Sequence, residues 1–331
     1  MNTRELVIEV TRGRFLESRH QVIAVICDAK GNRHSQWGNV DQQVFPRSSA
    51  KPLQALPLML SGAAKDLDLS QRQLAMACSS HNGEAQHITV ITDWLNQLGM
   101  SSEQLECGSH WPSYQPATLA LAKSGNQACA VHNNCSGKHC GFLSFAHHQG
   151  IDPKGYIHHQ HPVQQAVNDT MGRMMDLKIA DYPMGIDGCS IPTYALPLPN
   201  LAMAFARFGS GEQLPNDWQQ ACHKLYQAMV NEPFYVAGSE RHCTKVMKAY
   251  GGQVACKTGA EGVFAAAIPS LGLGIALKAL DGTSRAAEVA LNVLLDHLKL
   301  KPIDAQFEQH LLLYNRNQVH VSTVQIASEK A

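Results

Sequence analysis

The sequence has few charged residues and no excess of either sign. Lysine plus arginine and aspartate plus glutamate number 27 each, and charged residues make up 16% of the 331 residues. Proteins that bind nucleic acid carry clustered basic residues, so no nucleic-acid partner is expected. No apolar run reaches the roughly 18 residues that a membrane helix needs, so no membrane association is expected either.

The sequence also lacks a secretion signal and a disulfide framework. Residues 1–6 do not have the charged and then apolar pattern of a signal peptide. The ten cysteines are spaced irregularly along a long chain, unlike the dense frameworks of small secreted domains. We therefore expect a soluble, cytoplasmic protein whose thiols are reduced.

Runs of β-branched and apolar residues predict strands near both ends of the chain, whereas the middle is largely helical. The main predicted strands cover residues 6–12, 20–28, 35–40, 263–269, 273–280 and 319–326. The main predicted helices cover residues 48–60, 86–98, 162–177, 217–230, 284–298 and 304–313. This order predicts one α/β domain over residues 1–331 with an antiparallel sheet. Its sheet subdomain would combine residues 1–60 and 250–331, and residues 61–249 would form a helical subdomain.

A serine and a lysine stand three residues apart at the predicted start of a helix, as Ser48 and Lys51. Residues at this spacing are neighbours on a helix face, and a lysine of lowered pKa can take the proton of a serine hydroxyl. Pro52 is tolerated only in the first turn, so Ser48 would lie near the positive end of the helix dipole. By itself the spacing more often belongs to a capped helix whose lysine is solvated.

A second lysine motif, Lys257-Thr258-Gly259, follows on a strand late in the chain. Ser-x-x-Lys and Lys-Thr-Gly occur together in serine β-lactamases and penicillin-binding proteins, and their order agrees here. A lysine on such a strand would offer positive charge to a substrate carboxylate and would shift neighbouring proton affinities. An ordinary strand-to-turn junction can have the same three residues.

Two further clusters lie between these motifs. Ser80 opens a polar stretch over residues 80–84, which could be a solvent-facing turn or could bring a second hydroxyl to the nucleophile. Cys135 and His139 stand one helical turn apart, and Cys189 could approach from another loop. Two thiolates, a nitrogen and a water would make a tetrahedral zinc site. The spacing matches no standard zinc motif, and cysteines are more often small core residues.

Taken together, these motifs resemble the rhizobial-type, or class 3, L-asparaginases of the asparaginase II family. The matching segments are residues 47–52, 80–84, 134–139, 185–189, 236–238 and 257–262. The resemblance implies a fold like that of the serine β-lactamases and penicillin-binding proteins, with an antiparallel sheet flanked by helices and a helical subdomain. It also implies a homodimer that hydrolyses L-asparagine to L-aspartate and ammonia.

The resemblance further assigns roles to individual residues. Its catalytic serine–lysine pairs map onto Ser48 with Lys51 and Ser80 with Lys257. It implies a zinc ion, Zn2+, bound by Cys135, Lys138 and Cys189, whereas the spacing alone favours His139 over Lys138. The residues expected to touch substrate or metal are Arg47, His139 and Asp187.

Two alternatives remain open from the sequence. Another hydrolase on the same scaffold, such as a glutaminase or a β-lactamase, would keep both lysine motifs but would have no need of the cysteine cluster. A non-catalytic zinc- or amino-acid-binding protein would bind asparagine without releasing ammonia, and the two intact serine–lysine pairs argue against it. The sequence does not decide which serine is acylated, or whether zinc takes part in the chemistry or organises the site.

Overall fold

In the computed structural model, which describes residues 5–327, most strands lie toward the two ends of the chain. The strands are β1 (Leu6–Arg12), β2 (Phe15–Asp28), β3 (Arg33–Trp37), β4 (Gln43–Val44), β5 (Met184–Ile186), β6 (Pro192–Tyr194), β7 (Leu196–Pro197), β8 (Ala255–Gly259), β9 (Val263–Ile268), β10 (Leu273–Ala279), β11 (Leu311–Tyr314) and β12 (His320–Ile326). Residues 1–4, part of the segment without a signal pattern, lie outside the described residues.

Helices fill the sequence between these groups of strands. They are α1 (Lys51–Gln54), α2 (Leu56–Leu60), α3 (Ala63–Asp66), α4 (Gln71–Ala77), α5 (Ala85–Gln97), α6 (Gln115–Lys123), α7 (Ser136–His148), α8 (Pro162–Met175), α9 (Leu198–Ser210), α10 (Asn216–Asn231), α11 (Pro233–Val236), α12 (His242–Ala249) and α13 (Ser284–His297). Short 3-10 helices include Arg47–Ala50.

Within the described residues, eight strands from the two ends of the chain form one antiparallel sheet. The order is β11-β12-β1-β2-β10-β9-β8, and β3 pairs with β2. The 14 residues of β2 make this possible, because Val22 pairs with Leu6 of β1 and also with Ala279 of β10. The predicted α/β class, with an antiparallel sheet flanked by helices, is confirmed. The resemblance to the β-lactamase fold stays a prediction.

Helices cover both faces of the sheet. All of β9 is buried, and in β10 all residues but Lys278 are buried, although successive side chains of a strand point to opposite faces. Helix α9 packs against β2, β9 and β10, and α13 packs against β1, β10 and β12. This double cover explains why the central strands are apolar throughout instead of alternating with polar residues.

Helix α9 approaches the sheet closely at a glycine. A Cβ atom at Gly274 of β10 would overlap the carbonyl oxygen of Ala202 and the backbone nitrogen of Ala206, both in α9. The backbones of strand and helix therefore meet without a side chain between them, which only glycine permits here.

Two predicted helices differ from the structure. The helix expected over residues 48–60 is divided into the 3-10 helix Arg47–Ala50, α1 and α2, and prolines stand at the second position of both α-helices. Proline cannot donate the backbone hydrogen bond of a helix interior, so the run is interrupted. The helix predicted over residues 304–313 is wrong. Leu311–Tyr314 instead form the edge strand β11, because pairing with β12 outweighs the local helical pattern.

The buried apolar side chains form one connected core. It extends from Leu6 in β1 to Val324 in β12 and includes side chains of the helices between them. Within residues 5–327, no helix combines the length and the hydrophobicity that crossing a membrane requires.

Candidate active site

Ser48 lies in the 3-10 helix that immediately precedes α1. Its neighbour Arg47 has φ of 51°, in the left-handed region that non-glycine residues seldom adopt. A Cβ at Gly259 would lie 2.5 Å from the carbonyl oxygen of Pro46, so strand β8 packs directly against this turn. Ser48 and Lys257, far apart in the sequence, therefore lie on neighbouring elements.

Ser80 lies between two lysines. Its hydroxyl is 2.9 Å from Nζ of Lys51 and 2.9 Å from Nζ of Lys257, and all three side chains are buried. Lys51 also donates to the carbonyl oxygen of Ser79 at 2.6 Å. Within the described residues, no hydrogen bond joins Lys51 to the half-buried hydroxyl of Ser48. The structure thus brings Ser80 to both lysines and leaves the Ser48 hydroxyl free of them.

The environment of Lys257 favours its neutral amine. Burial lowers the pKa of Lys257 to about 7, and the nearby charge of Lys51 acts in the same direction. A neutral amine at hydrogen-bond distance from a hydroxyl can accept its proton. Lys257 therefore has the distance to Ser80 and the pKa that a general base needs to accept the Ser80 hydroxyl proton near neutral pH.

Two cysteines and a lysine come together on the other side of Lys51. Cys135 lies just before α7 and its sulfur is 3.1 Å from Nζ of Lys51, while Nζ of Lys138 is 3.1 Å from Sγ of Cys189 in the loop between β5 and β6. A hydrogen bond from Cys135 and the charge of Lys138 lower the pKa of Cys189 to about 5. Burial would lower the pKa of Lys138, but the two sulfurs more than offset this and raise it. These two shifts favour a thiolate at Cys189 beside an ammonium at Lys138.

These three side chains fit a zinc ion if Lys138 loses its proton, because only a neutral amine can bind a metal and an adjacent dication favours that form. Thiolates are preferred zinc ligands, and Cys135 and Cys189 already share a hydrogen bond. Among the described residues, no group of three or more His, Cys, Asp or Glu side chains is placed to hold a metal. A site here would therefore need the amine of Lys138 as its third protein ligand, and the presence of zinc stays a prediction.

His139 contributes a ring nitrogen without a partner. The ring is completely buried, and Nδ1 is 2.6 Å from the hydroxyl of Tyr156. Nε2 is buried and has no hydrogen-bond partner among the described residues. Burial, aided by the charge of Lys138, holds the pKa of His139 well below its usual value. A neutral ring with a free nitrogen is available to a substrate or a metal.

Arg47 and Asp187 form an ion pair with each other. Nε and Nη2 of Arg47 lie 2.9 and 2.8 Å from Oδ1 of Asp187. Burial would raise the pKa of Asp187, but the hydrogen bond from Arg47 lowers it below its usual value. Two of the three residues expected to touch substrate or metal are therefore brought together, and their charges compensate one another.

One group near the site was missed by the sequence analysis. Nη1 of Arg241 lies 3.3 Å from the carbonyl oxygen of Ser80 and 3.1 Å from Oδ1 of Asn82. Asn82 in turn donates to the carbonyl oxygen of Ser239 at 2.9 Å. The segment around Arg241 has only the composition of a polar loop, and its contact with Ser80 depends on tertiary structure.

A comparison with known protein families shows which family this chain belongs to. The model of the L-asparaginase II family matches residues 8–326, nearly the whole chain. The chain belongs to the L-asparaginase II family. As a member of the L-asparaginase II family, it is an amidohydrolase of the asparaginase type. No curated protein sequence matches it.

Solved structures of a protein named Mglu are distant matches to this asparaginase II chain. One is 12% identical with a TM-score of 0.49 and covers 86% of this chain and 69% of that chain. Another, Mglu in its tris and glutamate form, is 13% identical with a TM-score of 0.48 and covers 86% of this chain and 61% of that chain. Similarity at this level adds nothing to the family assignment.

Proposed function

We propose that this asparaginase II protein hydrolyses L-asparagine to L-aspartate and ammonia through a serine ester. The observation that carries the proposal is the Ser80 hydroxyl held 2.9 Å from both Lys51 and Lys257, beside the turn that contains Ser48. An amine at hydrogen-bond distance from a hydroxyl can accept and return its proton during acyl transfer. The family match supports the amide as the substrate bond.

In the proposed mechanism Ser48 attacks the side-chain amide carbon of the substrate. Ser48 is half-buried whereas Ser80 is only 3% exposed, so Ser48 is the serine that a substrate reaches more easily. The hydrogen-bonded groups Lys51, Ser80 and Lys257 form a path that takes the proton of the Ser48 hydroxyl. The same path delivers a proton to the leaving nitrogen, which departs as ammonia. Water then attacks the aspartyl ester by the same proton path and restores Ser48.

Ser80 is the second candidate for the nucleophile. It has the direct contacts to both lysines that Ser48 lacks within the described residues. Rapid acid quench of the wild-type enzyme with L-asparagine, followed by peptide mass analysis, distinguishes the two. We expect an aspartyl adduct on the peptide of Ser48 and loss of turnover in Ser48→Ala. An adduct on Ser80 alone, or near-wild-type turnover in Ser48→Ala, would assign the attack to Ser80.

We also propose that zinc is held by Cys135, Lys138 and Cys189. Bound there, it would supply a positive charge beside the substrate. The chain's own residues do the remaining work: the contact of Lys138 with Cys189 joins the start of α7 to the loop of Asp187, and Nε2 of His139 has no hydrogen-bond partner among the described residues. The serine–lysine groups form a complete nucleophile system, which favours an organising role for the metal.

The finer structural features are proposals as well. The antiparallel sheet is covered by helices, Ser-x-x-Lys follows its first three strands in the chain, and Lys-Thr-Gly lies on edge strand β8. This arrangement supports a β-lactamase-like fold. The homodimer and the cytoplasmic location rest on the family resemblance and on composition. Analytical ultracentrifugation tests the dimer directly.

An ammonia-release assay tests the function. We expect ammonia from L-asparagine, much less from L-glutamine, and no hydrolysis of a chromogenic β-lactam. Glutamine turnover equal to that of asparagine would identify a glutaminase, and hydrolysis of the β-lactam alone would identify a β-lactamase. Heat on binding L-asparagine without any ammonia would identify a binding protein. Running the assay with and without added zinc or chelator tests the metal.

A further inference from the structure

Arg47, the arginine expected to bind substrate, has its charge compensated. Two of its nitrogens contact one oxygen of Asp187, which is itself mostly buried. The substrate of the proposed reaction carries an α-carboxylate, and a compensated pair attracts a carboxylate less than a free guanidinium does. Another cation near the serines would therefore strengthen the binding of this group.

Arg241 has the charge and the position for this role. Its guanidinium is partly buried, and its described partners, the Ser80 carbonyl oxygen and Asn82 Oδ1, are both uncharged. Within residues 5–327, no carboxylate lies within 4 Å of it, whereas Arg33, Arg47 and Arg207 each pair with an aspartate. Among the described residues Arg241 donates through Nη1 alone, so the fork of the guanidinium retains donors for a bidentate contact.

The charges around Arg241 favour an anion. Lys51 and Lys257 converge on the same serine, whose carbonyl oxygen Arg241 contacts, so three cationic side chains surround one short segment. The carboxyl of Glu288 acts on Arg241 only at longer range, and burial raises its pKa to about 7, which weakens its compensation at neutral pH. Burial would raise the pKa of Cys243, but a hydrogen bond from Cys256 and the charge of Lys257 lower it to about 6, so this thiol offsets part of the positive charge. The carboxylate of Glu84 is engaged by Ser239, so among the described residues Lys51, Lys257 and Arg241 have no carboxylate partner.

The loop that carries Arg241 is held rigidly. Glu84 accepts hydrogen bonds from the backbone nitrogen and the hydroxyl of Ser239, each at 2.7 Å. Gly238 has φ of 111°, and a Cβ there would lie 2.6 Å from Oε1 of Glu84. Because this loop is locked to the loop of Ser80, the guanidinium keeps its position relative to the reacting groups.

We propose that Arg241 determines substrate specificity by binding the α-carboxylate of the amino-acid amide. The inference rests on the proposed asparaginase function and names the group by which the site selects its substrate. Arg241 would hold the end of the substrate that does not react, so its loss weakens binding of the carboxylate. Arg241 also helps to lower the pKa of Lys257, but that effect is common to every substrate and is smaller than the effects of burial and of Lys51. Substrates that lack this carboxylate should not depend on Arg241.

The test compares two amides in two proteins. L-Asparagine and 3-aminopropanamide differ by the α-carboxylate, and both release ammonia on hydrolysis of the amide. For Arg241→Gln we expect kcat/KM for L-asparagine to fall at least 50-fold, mainly through KM, and kcat/KM for 3-aminopropanamide to change less than threefold.

Arg241→Lys should recover part of the loss, because it keeps the charge without the fork. Arg173→Gln, a change of an exposed arginine on α8, should leave both substrates unaffected.

Each result decides the inference. An equal loss for both amides would assign Arg241 a structural role, and no loss for L-asparagine would remove it from the site. If 3-aminopropanamide is not turned over, its inhibition constant is compared with that of L-aspartate, and only the latter should rise, by about 30-fold, in Arg241→Gln. If the wild-type protein releases no ammonia, the proposed function fails, and calorimetric binding of L-aspartate to wild type and Arg241→Gln still tests the carboxylate contact.

Discussion

At the scale of single residues, the site is governed by amines that burial deprives of water. Lys257 is completely buried, and its surroundings include the charged groups Lys51 and Arg241 and the sulfurs of Cys243 and Cys135. Burial and the two cations lower its pKa to about 7, and the sulfurs partly oppose them. The protonation state of one side chain therefore changes in the range in which the enzyme would work.

This state should determine the acid side of the activity profile. Below pH 7 Lys257 is protonated and cannot accept a proton from Ser80, so we expect kcat/KM for L-asparagine to rise through an apparent pKa of about 7. Initial rates from pH 5.5 to 9 measure this. Lys257→Arg keeps the charge and hydrogen bonding but cannot become neutral, so it should lose activity at every pH. A flat wild-type profile between pH 5.5 and 8 would exclude Lys257 as the base.

The same lysine should reduce stability. A lysine whose pKa falls from about 10.4 in the unfolded chain to about 7 on folding binds fewer protons when folded. Its cost is therefore full below pH 7 and disappears as the pH rises toward 10. We expect Lys257→Met, although inactive, to be more stable than wild type by about 2 kcal/mol at pH 6, with a smaller gain at pH 9. Urea unfolding at both pH values measures this, and the exposed Lys123→Met should show no such pH-dependent gain. A gain that grows with pH would contradict the shift.

At the scale of elements, the sequence predicts strands and helices that depend on local residue pattern. It does not predict those that depend on pairing with a distant strand. The strands over residues 6–12 and 273–280 were predicted because β-branched and apolar residues are dense there. The segment of residues 304–313 became irregular chain and edge strand because β12 offered hydrogen-bond partners that no local pattern reveals. The family resemblance pairs Ser80 with Lys257, but no local pattern predicts that Ser80 also contacts Lys51. Ser80 is 29 positions from Lys51 and 177 positions from Lys257 in the sequence.

The close contact of α9 with β10 should depend on the absence of a side chain at Gly274. In Gly274→Ala the new Cβ would overlap the backbone of α9 at Ala202, and neither backbone can move away without opening the core. We expect a loss of about 3 kcal/mol or more in the free energy of unfolding. Gly141→Ala is the matched control. A Cβ there makes ordinary contacts in the interior of α7, so it should be neutral or stabilising by about 0.5–1 kcal/mol. Equal stability of the two variants would mean that α9 and β10 are not so close.

A mutation where α7 meets the loop of Cys189 should weaken substrate binding more than it slows the chemical step. Cys135→Ser removes one thiol of the proposed zinc site, while Ser48, Ser80 and Lys257 remain in place. We therefore expect lower zinc content and a KM for L-asparagine about tenfold higher, with kcat changed less than threefold. Metal analysis and steady-state kinetics measure the two effects, and Cys222→Ser, a buried cysteine in α10, controls for thiol loss. A fall in kcat with unchanged KM would instead give the metal a direct part in the reaction.

At the scale of the whole molecule, the site joins parts of the chain that are far apart. The strand of Lys257 belongs to the sheet, whereas Ser80, Cys135 and Cys189 lie in the segment between the two groups of sheet strands. The sequence pattern predicts the sheet strands and the helical segment, but not how the two meet, because the meeting depends on close backbone contacts such as Gly274 of β10 against Ala202 of α9. The site exists only while both parts are folded against each other.

This dependence predicts cooperative loss of structure and function. One apolar core runs from Leu6 to Val324 through helices and sheet, so the helical segment has no separate core that could persist alone. In urea we expect asparaginase activity, tryptophan fluorescence and far-ultraviolet circular dichroism to disappear in one transition with a common midpoint. The tryptophans report on both parts, since Trp37 lies in β3 and Trp94 in α5. Activity lost at a clearly lower urea concentration than the dichroism would reveal a helical unit that detaches first, and the two parts would then fold independently.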